Sequence, residues 1–331
     1  MKKLINKPED YVDEVLEGMA LAHPESFVIG GSTGRMLHRP APVSGKVGVV
    51  SGGGFGHIPV FAGYVGEGLL DACAVGDVFA SPDMNPMLEA IQFADTGKGV
   101  LCVVGNYGGD RMNFDMACEM AEMEDIACAR VIVADDVAAA GPEESHKRRA
   151  VAGFVLVTKV AGAAAAAGKS LTEVTELAQR AADNLRSIGV ALTSCTVPQA
   201  GKPTFQIADD EMEIGMGIHG EPGVRRGKLR PVNDICDEMI DLLLADKPMA
   251  QGSRVALLIN GLGATPAEEL YLVFRRAKAR VEAEGARIAF HLVGNYATAM
   301  EMAGASISVL HLDDALEELL KAPASNPFWK A

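Results

Sequence analysis

Residues 46–59 read KVGVVSGGGFGHIP, and the division of this stretch decides the fold. Lys46 to Ser51 is a short apolar run, the mark of a strand buried on both faces. Three glycines, Phe55, Gly56 and His57 follow, and Pro59 closes the segment. A buried strand that runs into a glycine-rich turn belongs to an open α/β sheet, where ligands gather at the carboxyl ends of the strands. The turn looks like a phosphate-cradling loop, yet it ends on His57 and not on a lysine followed by serine or threonine.

Similar apolar runs recur at 99–105, 129–136, 254–261 and 286–294. Between them, 84–95 and 113–124 carry apolar residues at helical spacing. The segment from Thr265 opens with a possible N-cap, Pro266 at the first helical position and acidic residues in the first turn, and it closes on Gly285. The middle differs: 153–192 reads as one or two long helices, and 193–224 as strands and turns rich in Gly and Pro. The expected fold class is α/β, with two α/β domains whose mostly parallel or mixed sheets are flanked by helices. The expected division is 1–185, carrying the glycine loop, His57 and Asp110, and 186–331, carrying His219.

The chain has 331 residues and a formal net charge of −14, which argues against nucleic acid or an anionic membrane as its main partner. No run reaches the ~18 apolar residues of a membrane span. The N-terminus turns acidic before any signal-peptide core develops. A cytoplasmic protein is expected. The six cysteines form no C-x-x-C pair, so neither structural zinc nor a disulfide framework is expected.

Two motifs mislead. Residues 162–170, GAAAAAGKS, nearly match a phosphate loop but have five residues between the glycines and lie in a helical stretch that hides its N–H groups. Residues 215–220, GMGIHG, fit a dinucleotide fingerprint on paper, but Glu221-Pro222-Gly223 follows where a helix must open.

The candidates for chemistry lie just past apolar runs. His57 follows the first, and GNYGGD, 105–110, ends on Asp110 after the second. Strands at these two runs can be neighbours, so both side chains can face one crevice. His219 sits in a glycine-flanked loop. Histidine titrates near neutrality, and a carboxylate can orient it or take a proton itself. Bland readings compete: Asp110 as a helix N-cap, the histidines as hydrogen-bonding or surface residues, Asp135-Asp136 as a solvated turn. His23, His38, His146, His291 and His311 have no comparable setting.

At these residues the chain resembles the dihydroxyacetone kinase family, specifically its substrate-binding subunit. MKKLIN starts the chain. SGGGFGHIP, 51–59, resembles the family's S-G-G-G-S-G-H-E-P, and GNYGGDRMNF, 105–114, its K-N-Y-T-G-D-x-x-N-F. GMGIHGEPG, 215–223, resembles the segment with the family's covalent histidine. CTVPQAGKPTF and NGLGATPAEELY are also similar, so the likeness runs through essentially the whole chain. The resemblance implies that His219 attacks the ketone carbon of a small keto-polyol to form a hemiaminal. It implies that His57 and Asp110 handle protons, and that Gly54, Phe55, Gly56 and Gly105 line the substrate. It implies no metal or cofactor on this chain. ATP or ADP with Mg2+ would sit on a separate nucleotide-binding (L-type) subunit, and the chain would be a homodimer.

Phe55 replaces the family's serine, Ile58 its glutamate, Gly105 its lysine and Gly108 its threonine. A lysine lost from a polyol pocket removes three donors, and a phenylalanine gained adds an apolar wall. A larger ketose, such as a tetrulose or a branched keto-sugar, is therefore expected as substrate. The competing expectation is a non-catalytic ketose-binding regulator, which has no need of Asp110.

Overall fold

The computed structural model describes residues 2–329. The first half contains α1 (Tyr11–Ala22), β1 (Val28–Gly30), β2 (Met36–His38), β3 (Gly48–Phe55), β4 (Ala72–Val78), α2 (Met84–Ala94), β5 (Val100–Gly105), α3 (Gly108–Met123), β6 (Cys128–Val133), α4 (Phe154–Ala166) and α5 (Leu171–Asp183). Its six strands form one sheet in the order β1-β2-β4-β3-β5-β6. The strands β4, β3, β5 and β6 run parallel, and the short β1–β2 hairpin adds an antiparallel edge. Every residue of β5 is buried, as a central strand covered on both faces requires.

The second half contains β7 (Leu185–Ala191), β8 (Glu211–Ile214), β9 (Arg225–Lys228), α6 (Val232–Asp246), β10 (Arg254–Gly261), α7 (Ala267–Ala283), β11 (Arg287–Gly294), β12 (Gly304–Leu312) and α8 (Asp314–Lys321). Its sheet has the order β11-β10-β12-β7-β8-β9. Only β10–β11 pair in parallel, and the other neighbours are antiparallel. The fold is α/β with two mixed sheets, the second far less parallel than strand-helix alternation suggests.

The helices sort into layers. Helices α2 and α3 cover one face of the first sheet, and α6 and α7 the outer face of the second. Between the sheets lie α4, α5 and α8. Helix α4 is buried from Phe154 to Ala165. An all-round apolar helix needs such a central position. One hydrophobic core therefore joins Val49, Leu101 and Val103 of the first sheet to Ala256, Leu258 and Leu310 of the second. The buried Lys159 of α4 donates to the carbonyl of Leu319 at the end of α8, 2.7 Å away, and burial lowers its pKa to about 8.

Two local readings change. Residues 185–191, read as the tail of a helix, are strand β7. Helix α5 ends at Asp183 with no glycine or proline to mark the stop, so the alanine-rich periodicity ran on in the sequence. Thr265 is not the N-cap of α7, because Pro266 takes that place. The Thr265 hydroxyl instead donates to the Gly304 carbonyl and accepts from the Gly304 N–H, each at 2.7 Å.

Candidate active site

Strand β3 does not stop at Ser51. It runs on through Gly52, Gly53 and Gly54 to Phe55, so the glycine loop is the end of the strand. The glycines are there because other protein atoms fill the space of their side chains. A Cβ on Gly53 would enter the ring of Phe61, and one on Gly54 would lie 2.8 Å from the backbone nitrogen of Ala80. The strand turns at Gly56, whose φ of +97° excludes most other residues. His57 then points inward and is fully buried.

His57 Nδ1 lies 2.7 Å from the carbonyl oxygen of Thr298. A carbonyl only accepts, so Nδ1 carries the proton and Nε2 the lone pair. His57 Nε2 is buried with no hydrogen-bond partner among the described residues. Burial, reinforced by the nearby His219, lowers the ring's pKa to about 3 and keeps it neutral. The Thr298 carbonyl is held in turn. Asn260, fully buried on β10, accepts at 2.8 Å from the N–H groups of both Tyr296 and Ala297 and so fixes the loop that carries Thr298.

His219 belongs to the β8–β9 connection, a turn with no helix behind it. Its Nδ1 is 2.7 Å from Glu221 Oε1, and its backbone N–H donates to Glu221 Oε2 at 3.0 Å. Burial raises the Glu221 pKa, but the hydrogen bond and charge of His219 outweigh it and hold the carboxyl at about 2. An ionised carboxylate accepts, so Nδ1 of His219 carries a proton, and in the neutral ring the lone pair is on Nε2. The His57 and His219 rings meet edge to face, 4.8 Å between centroids. Phe79 stacks on His57 at 4.7 Å and meets His219 at 5.2 Å, and Tyr107 closes the other side of His219 at 4.8 Å. Phe79 has a φ of +60°, an uncommon conformation for a bulky residue.

Asp110 lies inside the first turn of α3, beyond the N-cap Tyr107. It is therefore not the N-cap. The residue is 5% exposed, and its Oδ1 is buried without a partner among the described residues. Burial pushes its pKa up to about 6, against a hydrogen bond from Ser81 and the charge of His219. Parallel pairing of β3 with β5 brings the segments of His57 and Asp110 to one sheet edge, and His219 reaches them from the second sheet.

The other residues singled out by the resemblance are placed as follows. The Phe55 ring packs edge-on to Tyr11, 6.1 Å away. Phe55 and Ile58 line a separate hollow of about 440 Å3 with Lys3, Thr298, Met300 and Glu301. Gly105 ends β5 facing Ala150 and the Tyr107 ring, and Gly108 faces open space. Asp135 and Asp136 do not form a solvated turn. Both are buried, Asp135 accepting from Val151 and Gly153 N–H groups at 2.8 and 3.0 Å, and Asp136 pairing with Arg149. The false phosphate loop is the α4–α5 junction, where Ser170 caps α5 in a capping box with Glu173.

Three site residues escape the sequence reading: Glu221, Tyr107 and Phe79. Glu221 had a usable signal, a carboxylate two residues after a candidate histidine. Tyr107 lies within a quoted motif. Phe79 had none.

Among the described residues no group of three or more His, Cys, Asp or Glu side chains could hold a metal ion, and no helix is long and apolar enough to cross a membrane. Residues 17–328 match the Dak1 domain. The chain is 41% identical over 330 residues to the dihydroxyacetone-binding subunit DhaK of PTS-dependent dihydroxyacetone kinase 1 from Listeria innocua, covering 99% of this chain and 100% of that protein. It is 38% identical over 335 residues to L-erythrulose 1-kinase from Mycolicibacterium smegmatis, covering 100% of this chain and 58% of that longer protein. The crystal structure of the dihydroxyacetone kinase of C. freundii superposes with a TM-score of 0.91 at 33% identity, over 99% of this chain and 60% of that one. With its family domain, its end-to-end likeness to a DhaK subunit and its fold all in agreement, this chain belongs to the Dak1, or dihydroxyacetone kinase, family, as a substrate-binding subunit of a kinase.

Proposed function

We propose that the chain binds a small ketose covalently on His219 and presents its terminal hydroxyl for phosphorylation. The single observation that carries this reading is the His219 Nδ1 to Glu221 contact of 2.7 Å, which leaves Nε2 as the nucleophilic nitrogen. In the reaction Nε2 adds to the carbonyl carbon, the π electrons move to the carbonyl oxygen, and that oxygen takes a proton from water. The ionised Glu221 stabilises the positive ring and accepts the hydrogen bond of its remaining N–H. An alcohol such as glycerol has no carbonyl to attack, so selection rests on chemistry more than on size.

Asp110 is the general base for the second step. Its carboxyl titrates at about 6, close to working pH, whereas His57 at about 3 is too weak a base. Asp110 takes the proton of the attacking hydroxyl as its oxygen bonds to the transferred phosphorus and the nucleotide leaves. His57 accepts a substrate hydroxyl's hydrogen bond at Nε2 and fixes its orientation. The nucleotide with Mg2+, either ATP or, in a phosphotransferase-system form, bound ADP that is first recharged, would sit on a separate nucleotide-bearing subunit.

The substrate is a ketose larger than dihydroxyacetone, because Gly105, beside the Tyr107 ring that meets His219, stands where the family's lysine would supply three donors. An enzyme is favoured over a regulator because Asp110 is buried with its Oδ1 unpartnered among the described residues, an arrangement that is costly when ionised and that a protein that only binds does not need. Phosphorylation of a panel from dihydroxyacetone to pentuloses by the reconstituted complex tests this. We expect product with a three- or four-carbon ketose and a higher kcat/KM for the tetrulose. No product with any ketose, despite adduct formation, would refute the kinase role, and a higher kcat/KM for dihydroxyacetone would refute the larger substrate.

A further inference from the structure

The nucleophile's loop is held by a residue from the other half of the chain. Arg149 lies in the connection between β6 and α4. Its guanidinium donates to Asp136 Oδ2 from Nε at 2.9 Å and from Nη2 at 2.6 Å. The same Nη2 donates to the carbonyl of Gly215 at 2.9 Å. Gly215 is the first residue after β8, has a φ of +81°, and is tied at its own N–H to the Gly189 carbonyl, 2.7 Å away. Two residues on, a Cβ on Gly217 would lie 2.8 Å from Arg149 Nη1 and would also strike the Glu221 carboxylate. The guanidinium and the carboxylate that orients His219 thus converge over one glycine.

Asp136 is itself fixed. Its N–H donates to the Arg149 carbonyl at 3.1 Å, and Oδ1 accepts from Ala138 N–H at 3.0 Å. The neighbouring Arg148 has a different task. It binds both oxygens of Asp246 and donates from Nε to the Ala140 carbonyl at 2.8 Å, away from the histidines. Arg149, and not Arg148, carries a side-chain hydrogen bond from this connection to the His219 turn.

Resting on the covalent reading above, we infer that Arg149, oriented by Asp136, is a positioning residue that sets the approach of His219 to the ketose. A planar fork that binds a carboxylate with one edge and a carbonyl with the other is matched by no lysine. Misplacing a nucleophile by about 1 Å costs on the order of 100-fold in rate. The first half of the chain thereby aims the nucleophile of the second, as the Thr298 carbonyl of the second half sets the tautomer of His57 in the first.

The test compares wild type, Arg149→Ala, Arg149→Lys and the control Arg148→Lys. Intact-protein mass spectrometry follows the rate of dihydroxyacetone addition, and NMR follows the His219 ring signals. Arg149→Ala should slow addition by about 10–100-fold, Arg149→Lys should recover little, and millimolar guanidinium should restore part of the loss where sodium chloride does not. Arg148→Lys should keep the wild-type rate. Wild-type addition rates in both Arg149 variants, or a loss that guanidinium leaves unchanged, would overturn the inference. If Arg149→Ala does not fold, Arg149→Lys with guanidinium gives the same decision. The ring signals separate the two readings. Signals that move in the Arg149 variants support the positioning role even if wild type forms no adduct, an outcome that would sink the covalent reading alone. Signals that do not move overturn the positioning role.

Discussion

The two histidines differ in what holds their Nδ1. His57 faces a neutral carbonyl and His219 an ionised carboxylate, so a hydrogen-bond acceptor and a nucleophile arise from the same side chain. Glu221→Gln tests this at the residue scale. The amide can donate to Nδ1 as well as accept, so it loses control of the tautomer. Adduct formation, followed by mass spectrometry, should fall by about 10–100-fold with little change in melting temperature. Asp110 makes a prediction of opposite sign for stability and activity. Its pKa is about 6 in the folded protein against 3.8 unfolded, so the native state holds the proton more tightly. Its contribution is therefore most favourable below pH 3.8 and is lost as pH rises through 6. Asp110→Asn should stabilise the protein by on the order of 1–3 kcal/mol at pH 8 and by little at pH 4, as read by urea unfolding. The same variant should lose phosphorylation activity, along with the fall in wild-type rate on acidification through about pH 6.

At the scale of elements, the end of β3 shows what a sequence hides. The run from Lys46 and the later strands β5, β6, β10 and β11 were legible because a short apolar run stands out without knowledge of neighbours, although β6 and β11 are only partly buried. The meaning of the glycines was not. Their demand comes from Phe61 and from the Phe79–Ala80 backbone, segments that approach only in the fold. The same limit concealed Phe79 and the Arg149–Asp136 pair, whose partners are distant in sequence. It also made β7 read as helix. His57 and Asp110 were candidates in the sequence because each follows an apolar run, where α/β proteins put ligands, and His219 because glycines flank it. Gly53→Ala and Gly54→Ala should each destabilise the protein by about 1–3 kcal/mol or more, through overpacking. Gly108→Ala, with nothing within 4 Å of the added carbon, should be tolerated. Thermal unfolding of the three variants checks the contrast.

The whole molecule is closed by its C-terminal segment. Glu67 and Ser325 exchange backbone hydrogen bonds at 3.1 and 3.0 Å. Trp329 is buried against Tyr64 from the first half and Tyr296 from the second, with ring centroids 6.3 and 6.4 Å away. Trp329→Ala should destabilise the protein by about 3–5 kcal/mol, measured by circular dichroism during urea unfolding. In the wild type, fluorescence of this single tryptophan should follow loss of the joint between the halves. That joint matters to the chemistry because neither half holds both histidines. The fate of the ketose at His219 is the decisive observation. Protein incubated with dihydroxyacetone and analysed intact should gain the full mass of one ketose with no loss of water, mapped to the peptide containing His219 and absent from His219→Asn. No adduct, an adduct on another residue, or a gain lacking one water, as an imine on lysine would give, would contradict it.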